Sequence, residues 1–323
     1  MTPVPHPIQG PTAWTPDSLK QEDWLLSLGP EMLKDLEQTR TRLSARKLSL
    51  AHAMSEDFGD ALQGLGHLVR SRLQSGPGFV ILRGWAAHRL PEAEAGLLFW
   101  GIACSLGVPQ PQSLTGDRLH VVAEGITLPP GRVAPGGSTS SNEILLHTEN
   151  ARPPAPPDIL GLLCLEQAES GGDSVLLSGH ALHNRLLEHH PEDVLRLYQE
   201  YLFGRHDEPY PDGQVCDGSP VFRDQAGKVL VRYGRYWMRV AERTTGVPLD
   251  AAGRQALDRV DAMLVMPTMA LTLRLCPGDA LFIDNHVVLH GRRAFEDPQG
   301  GSRRRLLRVW VADREQRHSV LPA

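Results

Sequence analysis

The chain has 323 residues, 41% of them hydrophobic, with 33 Lys and Arg against 38 Asp and Glu for a net charge of −5. That length and apolar content support a substantial core in one large domain or two small ones, and the acidic balance without a long basic run argues against nucleic acid as a partner. No run of about 18 apolar residues marks a membrane span, and MTPVPHPIQGPTAWTPDS lacks the apolar stretch of a secretory signal, so the reading is a soluble cytoplasmic protein with a small-molecule ligand and no membrane partner.

In chain order, residues 1–15 are proline-rich and read as a flexible arm. Residues 16–76 read as helical, from the spacing in DSLKQEDWLLSLG, EMLKDLEQTRTRLSA and DALQGLGHLVRSRLQSG. GFVILRGW, from Gly78, then reads as a buried strand, and PEAEAGLLFWGIACSLGVP as a helix with proline near its start and glycine past its end. From about Asn142 the rhythm becomes β: EILLH, DILGLLCL, SVLLS, KVLVRY, ALTLRL, ALFIDN and RLLRVWV are separated by Gly, Pro and Asp turns. Helices interrupt it near Gly179 to His190, Pro191 to Tyr201 and Pro248 to Leu264. The expected architecture is α+β, a single domain over 1–323 whose segment 77–315 is a jelly-roll core, a double-stranded β-helix of cupin-like kind, with helical supports and insertions. APGGSTSSN and Gly204 to Pro220 read as mobile loops that can lie over a site. Cys104, Cys164, Cys216 and Cys276 show no CxxC pairing and read as reduced core thiols.

If NEILLHTE is extended, His147 and Glu149 point to one face and can share an ion while Thr148 points away. By itself this is a weak signal, since surface His and Glu are common. LCPGDALFIDNHVVLHGRRAF adds His286 and His290, either of which can supply a third ligand. Two histidines and a carboxylate make the facial set that holds non-haem Fe(II) and leaves open positions, where a 2-oxo acid and dioxygen can bind. In RRRLLRVWV, strand periodicity puts Arg304 and Arg308 on one face, where a guanidinium fork can grip a carboxylate; alone, the cluster reads first as a basic edge strand, and only its combination with the histidines and glutamate reverses that. The histidines His180, His183, His189 and His190 read as solvated or capping groups.

Taken together, GFVILRG, HTE followed by PPDILGLLCL, GGDSVLLSG, PGDALFIDNHVVLHGR and RRRLLRVW resemble the Fe(II)/2-oxoglutarate-dependent dioxygenases of the taurine dioxygenase and clavaminate synthase-like family, from about Gly78 to Val311. The resemblance implies His147, Glu149 and His290 as iron ligands, with His286 a neighbour. It implies Arg304, fourteen residues after His290, as the 2-oxoglutarate arginine, supported by Arg308 and Ser174. It further implies Fe(2+) as cofactor, 2-oxoglutarate and O2 as cosubstrates, and hydroxylation of an unactivated C–H with release of succinate and CO2. Glutamate in the tripeptide, where much of the taurine dioxygenase branch has aspartate, matches the amino-acid hydroxylases of the group and argues against halogenation.

The expected substrate is a free amino acid or similar compound. Asp207, Glu208 and Asp212 are candidates to pair with its amine, and Arg232, Arg235 and Arg239 with an anionic group. Desaturation or cyclisation at the same iron site, a sulfonate or simple carboxylate substrate, and a non-catalytic cupin-like metal or 2-oxoglutarate sensor are the competing readings. The oligomeric state is not legible.

Overall fold

The computed structural model describes residues 5–48, 50, 53, 55–112, 116–124, 139–149, 156–204, 213–297 and 303–313. The N-terminal part contains α1 (Gln21–Trp24), β1 (Leu25–Ser27), α2 (Pro30–Ala45) and α3 (Gly59–Ser75), then β2 (Phe79–Arg83) and α4 (Glu92–Leu106). Pro30 opens α2 at a position where its missing N–H costs nothing. DSLKQEDWLLSLG is not one helix: after a single turn, Leu25 and Leu26 pair in parallel with Ile81 and Leu82. Adding an edge strand to the sheet satisfies that backbone better than a short isolated helix could.

The remaining strands are β3 (Val108–Pro109), β4 (Leu119–Val122), β5 (Ile144–His147), β6 (Ile159–Glu166), β7 (Ser170–Gly171), β8 (Ser174–Ser178), β9 (Tyr201–Gly204), β10 (Cys216–Ser219), β11 (Phe222–Gln225) and β12 (Lys228–Val231), followed by β13 (Ala270–Leu273), β14 (Ala280–Asp284), β15 (Val288–Arg292), β16 (Phe295–Glu296) and β17 (Arg305–Ala312). Between them lie α5 (Gly179–His189), α6 (Pro191–Leu197), α7 (Arg235–Thr245) and α8 (Ala251–Leu264). Ser178 caps α5 by accepting from Ala181 N at 2.9 Å, and Asp250 caps α8 by accepting from Gly253 N at 2.6 Å.

Two sheets face each other. The larger has seven strands in the order β1-β2-β14-β6-β17-β3, with β4 also on β17; the smaller has four, β13-β8-β15-β5. Strand alternation sends Phe79, Ile81, Leu160, Leu281, Ile283, Leu306 and Trp310 from the first sheet, with Leu176 from the second, into one shared cluster. The outer face of the large sheet, including Val80, Phe282 and Val309, packs on α3 and α4; that of the small sheet, including Val175, Leu177 and Leu289, packs on residues of α5, α6 and α8. This is the expected jelly-roll core with helical supports.

The proline-rich lead-in is laid against this frame. Ile8 exchanges backbone bonds with the Asn184 amide, Ser178 Oγ donates to Thr12 O, and Trp14 is buried on Phe79 with Nε1 donating to Pro77 O at 2.7 Å. His180 and His183 are buried rather than solvated: His180 bonds Thr12 Oγ1 and Val229 O, and His183 bonds Tyr198 Oη. All four cysteines are free, but only Cys164 is fully buried, and Cys276 is exposed. Among the described residues no helix is long and apolar enough to cross a membrane.

Candidate active site

The inner faces of the two sheets meet at the end of β5. There His147 and His290 are direct cross-strand partners, with ring centroids 4.4 Å apart. Glu149 lies just beyond β5, and His290 Nε2 is 3.4 Å from Glu149 Oε2. One ligand atom from each of His147, Glu149 and His290 lies within 4.8 Å of the others. His147 Nδ1 donates to Leu145 O at 2.8 Å, which leaves the Nε2 lone pair as its donor. Burial, reinforced by His290, pushes the His147 imidazole down to about 4, so it is neutral near pH 7. Burial alone pushes the Glu149 carboxyl up, but Arg308 and the two imidazoles outweigh it and hold the group well below the ordinary carboxylate range. An anionic oxygen and two imidazole nitrogens on one face form the donor set of a divalent-metal site with open positions, and the residues present therefore fit ferrous iron.

The other expected ligand candidate is occupied elsewhere: His286 Nε2 pairs with Asp158 Oδ1 at 2.8 Å. Residues flanking the site fix Glu149 from its backbone. Thr148 N donates to Tyr233 O at 2.8 Å, and the fully buried Asn285 accepts from Glu149 N at 2.6 Å while donating to Glu149 O and Pro157 O.

Arg304 stands just before β17, whose pairing shifts register between Arg305 and Leu306, while Leu306 and Arg308 lie within the strand; both arginines are buried. Their partners differ. Arg308 Nη1 lies 3.4 Å from each Glu149 oxygen, and its Nε donates to Gln112 Oε1 at 2.7 Å. Among the described residues the Arg304 guanidinium has neutral, long hydrogen bonds, to Gln167 Oε1 at 3.2 Å and Gly172 O at 3.3 Å. Burial pushes its guanidinium down from the ordinary value. Gly172, at φ +73°, leaves the space that Arg304 fills; a Cβ there would sit 2.9 Å from Arg304 Nε. Ser174, at the start of β8, is buried opposite Arg292. A buried cation whose hydrogen-bond partners among the described residues are neutral fits the free carboxylate of a bound dianion.

The substrate candidates are less gathered. Asp207, Glu208 and Asp212 lie outside the described residues, as does most of the Ala134 to Asn142 stretch. Arg232 precedes Tyr233 and is engaged by both Asp217 oxygens, at 3.1 and 3.2 Å, above the Phe203 ring. Arg235 is tied to Asp258 and Asp261 on α8, and Arg239 is exposed on α7. Gln112 and Asn285 were not anticipated from the sequence; Asn285 binds the backbone of distant segments and Gln112 both the side chain and the carbonyl of Arg308, and neither sits in a pattern that names it.

A jelly roll that brings two histidines and a carboxylate together on its inner face, beside buried arginines, is the frame of a non-haem metal oxygenase. Residues 50–310 match the family described as taurine catabolism dioxygenase TauD, TfdA family, and the chain belongs to that family. FR-33289 synthase of Streptomyces rubellomurinus is 26% identical over 318 residues, spanning 94% of this chain and 90% of that protein. An asparagine oxygenase solved with Fe(II), 2S,3S-3-hydroxyasparagine and succinate superposes with a TM-score of 0.67 at 23% identity, covering 93% of this chain and 97% of the other. The non-heme iron oxygenase OrfP, solved with Fe and alpha-ketoglutaric acid, superposes with a TM-score of 0.66 at 21% identity over the same shares. The chain is thus a dioxygenase by family, with a donor set that fits a divalent metal.

Proposed function

We propose that His147, Glu149 and His290 hold the iron, that Arg304 with Ser174 receives the far carboxylate of 2-oxoglutarate, and that the enzyme hydroxylates a free amino acid or a closely similar small molecule. The convergence of the three donor atoms within 4.8 Å carries the reading. When bound, the iron and its cosubstrates supply oxidative decarboxylation to succinate and CO2, with transfer of one oxygen atom to a C–H bond.

The protein's part is placement. Leu145 O fixes the His147 tautomer, Asn285 sets the backbone of Glu149, and Arg308 keeps that carboxylate ionised and oriented. Arg308 therefore serves the metal ligand more directly than the cosubstrate. The surrounding apolar residues of both sheets keep water from the reacting centre. The hydroxyasparagine bound to the structurally similar oxygenase supports an amino-acid substrate.

The test is aerobic incubation of the protein with Fe(II), 2-oxoglutarate and a panel of free amino acids, small amines and sulfonates. Succinate is quantified, and each hit is examined for a mass gain of one oxygen. Succinate that rises with an amino acid and vanishes in Glu149→Ala is expected. No succinate with any compound, together with no Fe(II) binding, refutes the proposal.

A further inference from the structure

Arg292 stands two residues beyond His290 on β15, so both side chains leave the strand on the inner face. Across the sheet it is in register with Ser174. Its guanidinium carbon is 4.7 Å from the centroid of the Phe295 ring, and that of Arg304 is 5.2 Å from the same centroid, so two buried cations share one aromatic. Among the described residues neither forms an ion pair. Arg292 Nη2 donates to the backbone carbonyls of Ser140, at 2.6 Å, and Asn142, while its Nε is buried with no acceptor among the described residues. Glu124, whose charge reaches Arg292, accepts from Ser141 Oγ and forms no ion pair with Arg292 among the described residues. Two desolvated positive charges side by side repel each other and call for an anion between or beside them.

We propose that Arg292 is a second cosubstrate-binding arginine, which faces the far carboxylate of 2-oxoglutarate beside Arg304 and couples it to the Ser140–Asn142 backbone that leads into β5. The proposal rests on the cosubstrate pocket described above and adds to it a residue outside the RRRLLRVWV strand. Its consequence is selectivity: Arg292 stabilises 2-oxo acids that carry a second carboxylate and is indifferent to those that lack one. Through Ser140 and Asn142 it also joins the filled pocket to the strand that bears His147.

The test is calorimetric titration of the Fe(II)-loaded protein without oxygen, using 2-oxoglutarate and 2-oxopentanoate, which has the same carbon count but no far carboxylate. In Arg292→Gln the affinity for 2-oxoglutarate is expected to fall roughly tenfold to a hundredfold, the range of a hydrogen bond to a charged group, with 2-oxopentanoate unchanged. Arg292→Lys keeps the charge without the fork and is expected to retain most of the preference for the dicarboxylate. Arg292→Met, of similar length and no charge, replaces the Gln variant if that one does not fold. An equal loss for both acids, or none for either, overturns the proposal and leaves Arg292 a clamp on the loop. A wild-type protein that binds neither acid defeats the reading of the pocket itself, a different result from either.

Discussion

Asn285→Ala removes a side chain that touches neither metal nor substrate, yet it should cost both stability and metal affinity. The amide is fully buried and serves three backbone groups: it accepts from Glu149 N at 2.6 Å and donates to Glu149 O at 3.1 Å and Pro157 O at 2.8 Å. Alanine leaves one N–H and two carbonyls without those partners. At about 1–3 kcal/mol for each unsatisfied buried group, and allowing for relaxation, the loss is about 3–6 kcal/mol. Against a typical total of about 5–15 kcal/mol this is a large fraction, readable as a drop in the urea midpoint at unchanged slope. Because Glu149 is a proposed ligand, its affinity for Fe(II) should also fall by about tenfold to a hundredfold, as for other groups that orient ligands. Asn285→Asp separates the two effects, since it retains an acceptor for Glu149 N but loses both donors. An alanine variant with the wild-type midpoint and wild-type metal affinity would show that the Glu149 backbone does not need this clamp.

Glu149→Gln is expected to abolish tight Fe(II) binding and to destabilise the metal-free protein by about 3–5 kcal/mol, because it leaves the buried Arg308 guanidinium facing a neutral amide; metal analysis and urea titration read the two effects. Gly172→Ala places a Cβ 2.9 Å from Arg304 Nε at a φ of +73°. It should weaken 2-oxoglutarate binding by about tenfold or more through displacement of Arg304, with Fe(II) affinity unchanged, as measured by titration of each. His183 is buried against Tyr198, and burial pushes its imidazole down to about 4. The unfolded chain takes up that proton near pH 6.5 and the folded one only near 4, so the contribution is complete above about 6.5 and is lost as pH falls toward 4, up to about 3 kcal/mol in all. His183→Gln should flatten the dependence of the urea midpoint on pH across that window, and an unaltered slope would contradict the assignment.

The legible parts of the sequence were those in which one short motif carries both pattern and chemistry. The HGR-containing strand was legible because alternation fixes which side chains share a face, and His147 and His290 do meet across β5 and β15; HTE was weak alone, and Glu149 lies in a turn just beyond β5. The helices α2, α3, α4, α5 and α8 were readable from apolar spacing and terminal residues. RYWMRVAERTT was not: it follows the apolar strand run KVLVRY directly, has only Gly234 at its start, and its helix is held by Met238, Val240 and Ala241 packing inward. Leu25 and Leu26 look helical locally and become a strand only because β2 offers an edge 56 residues away. Gln112, Asn285 and Arg292 could not be found by spacing, since each acts on backbone or charge supplied by remote segments. Arg308 was read through the family resemblance as a supporting cosubstrate group; its contact with Glu149, 159 residues earlier, is not legible from spacing.

The early tryptophan gives the chain's opening residues a structural duty. Trp14 stops one end of the space between the sheets, with Thr12 and Ile8 fastened to Ser178 and Asn184 more than 160 residues downstream. This cork needs α5 in place beside it, so that end is closed by contacts of long sequence separation. A protein shortened to begin at Pro16 would keep every proposed iron and cosubstrate residue and still be left with an uncorked barrel.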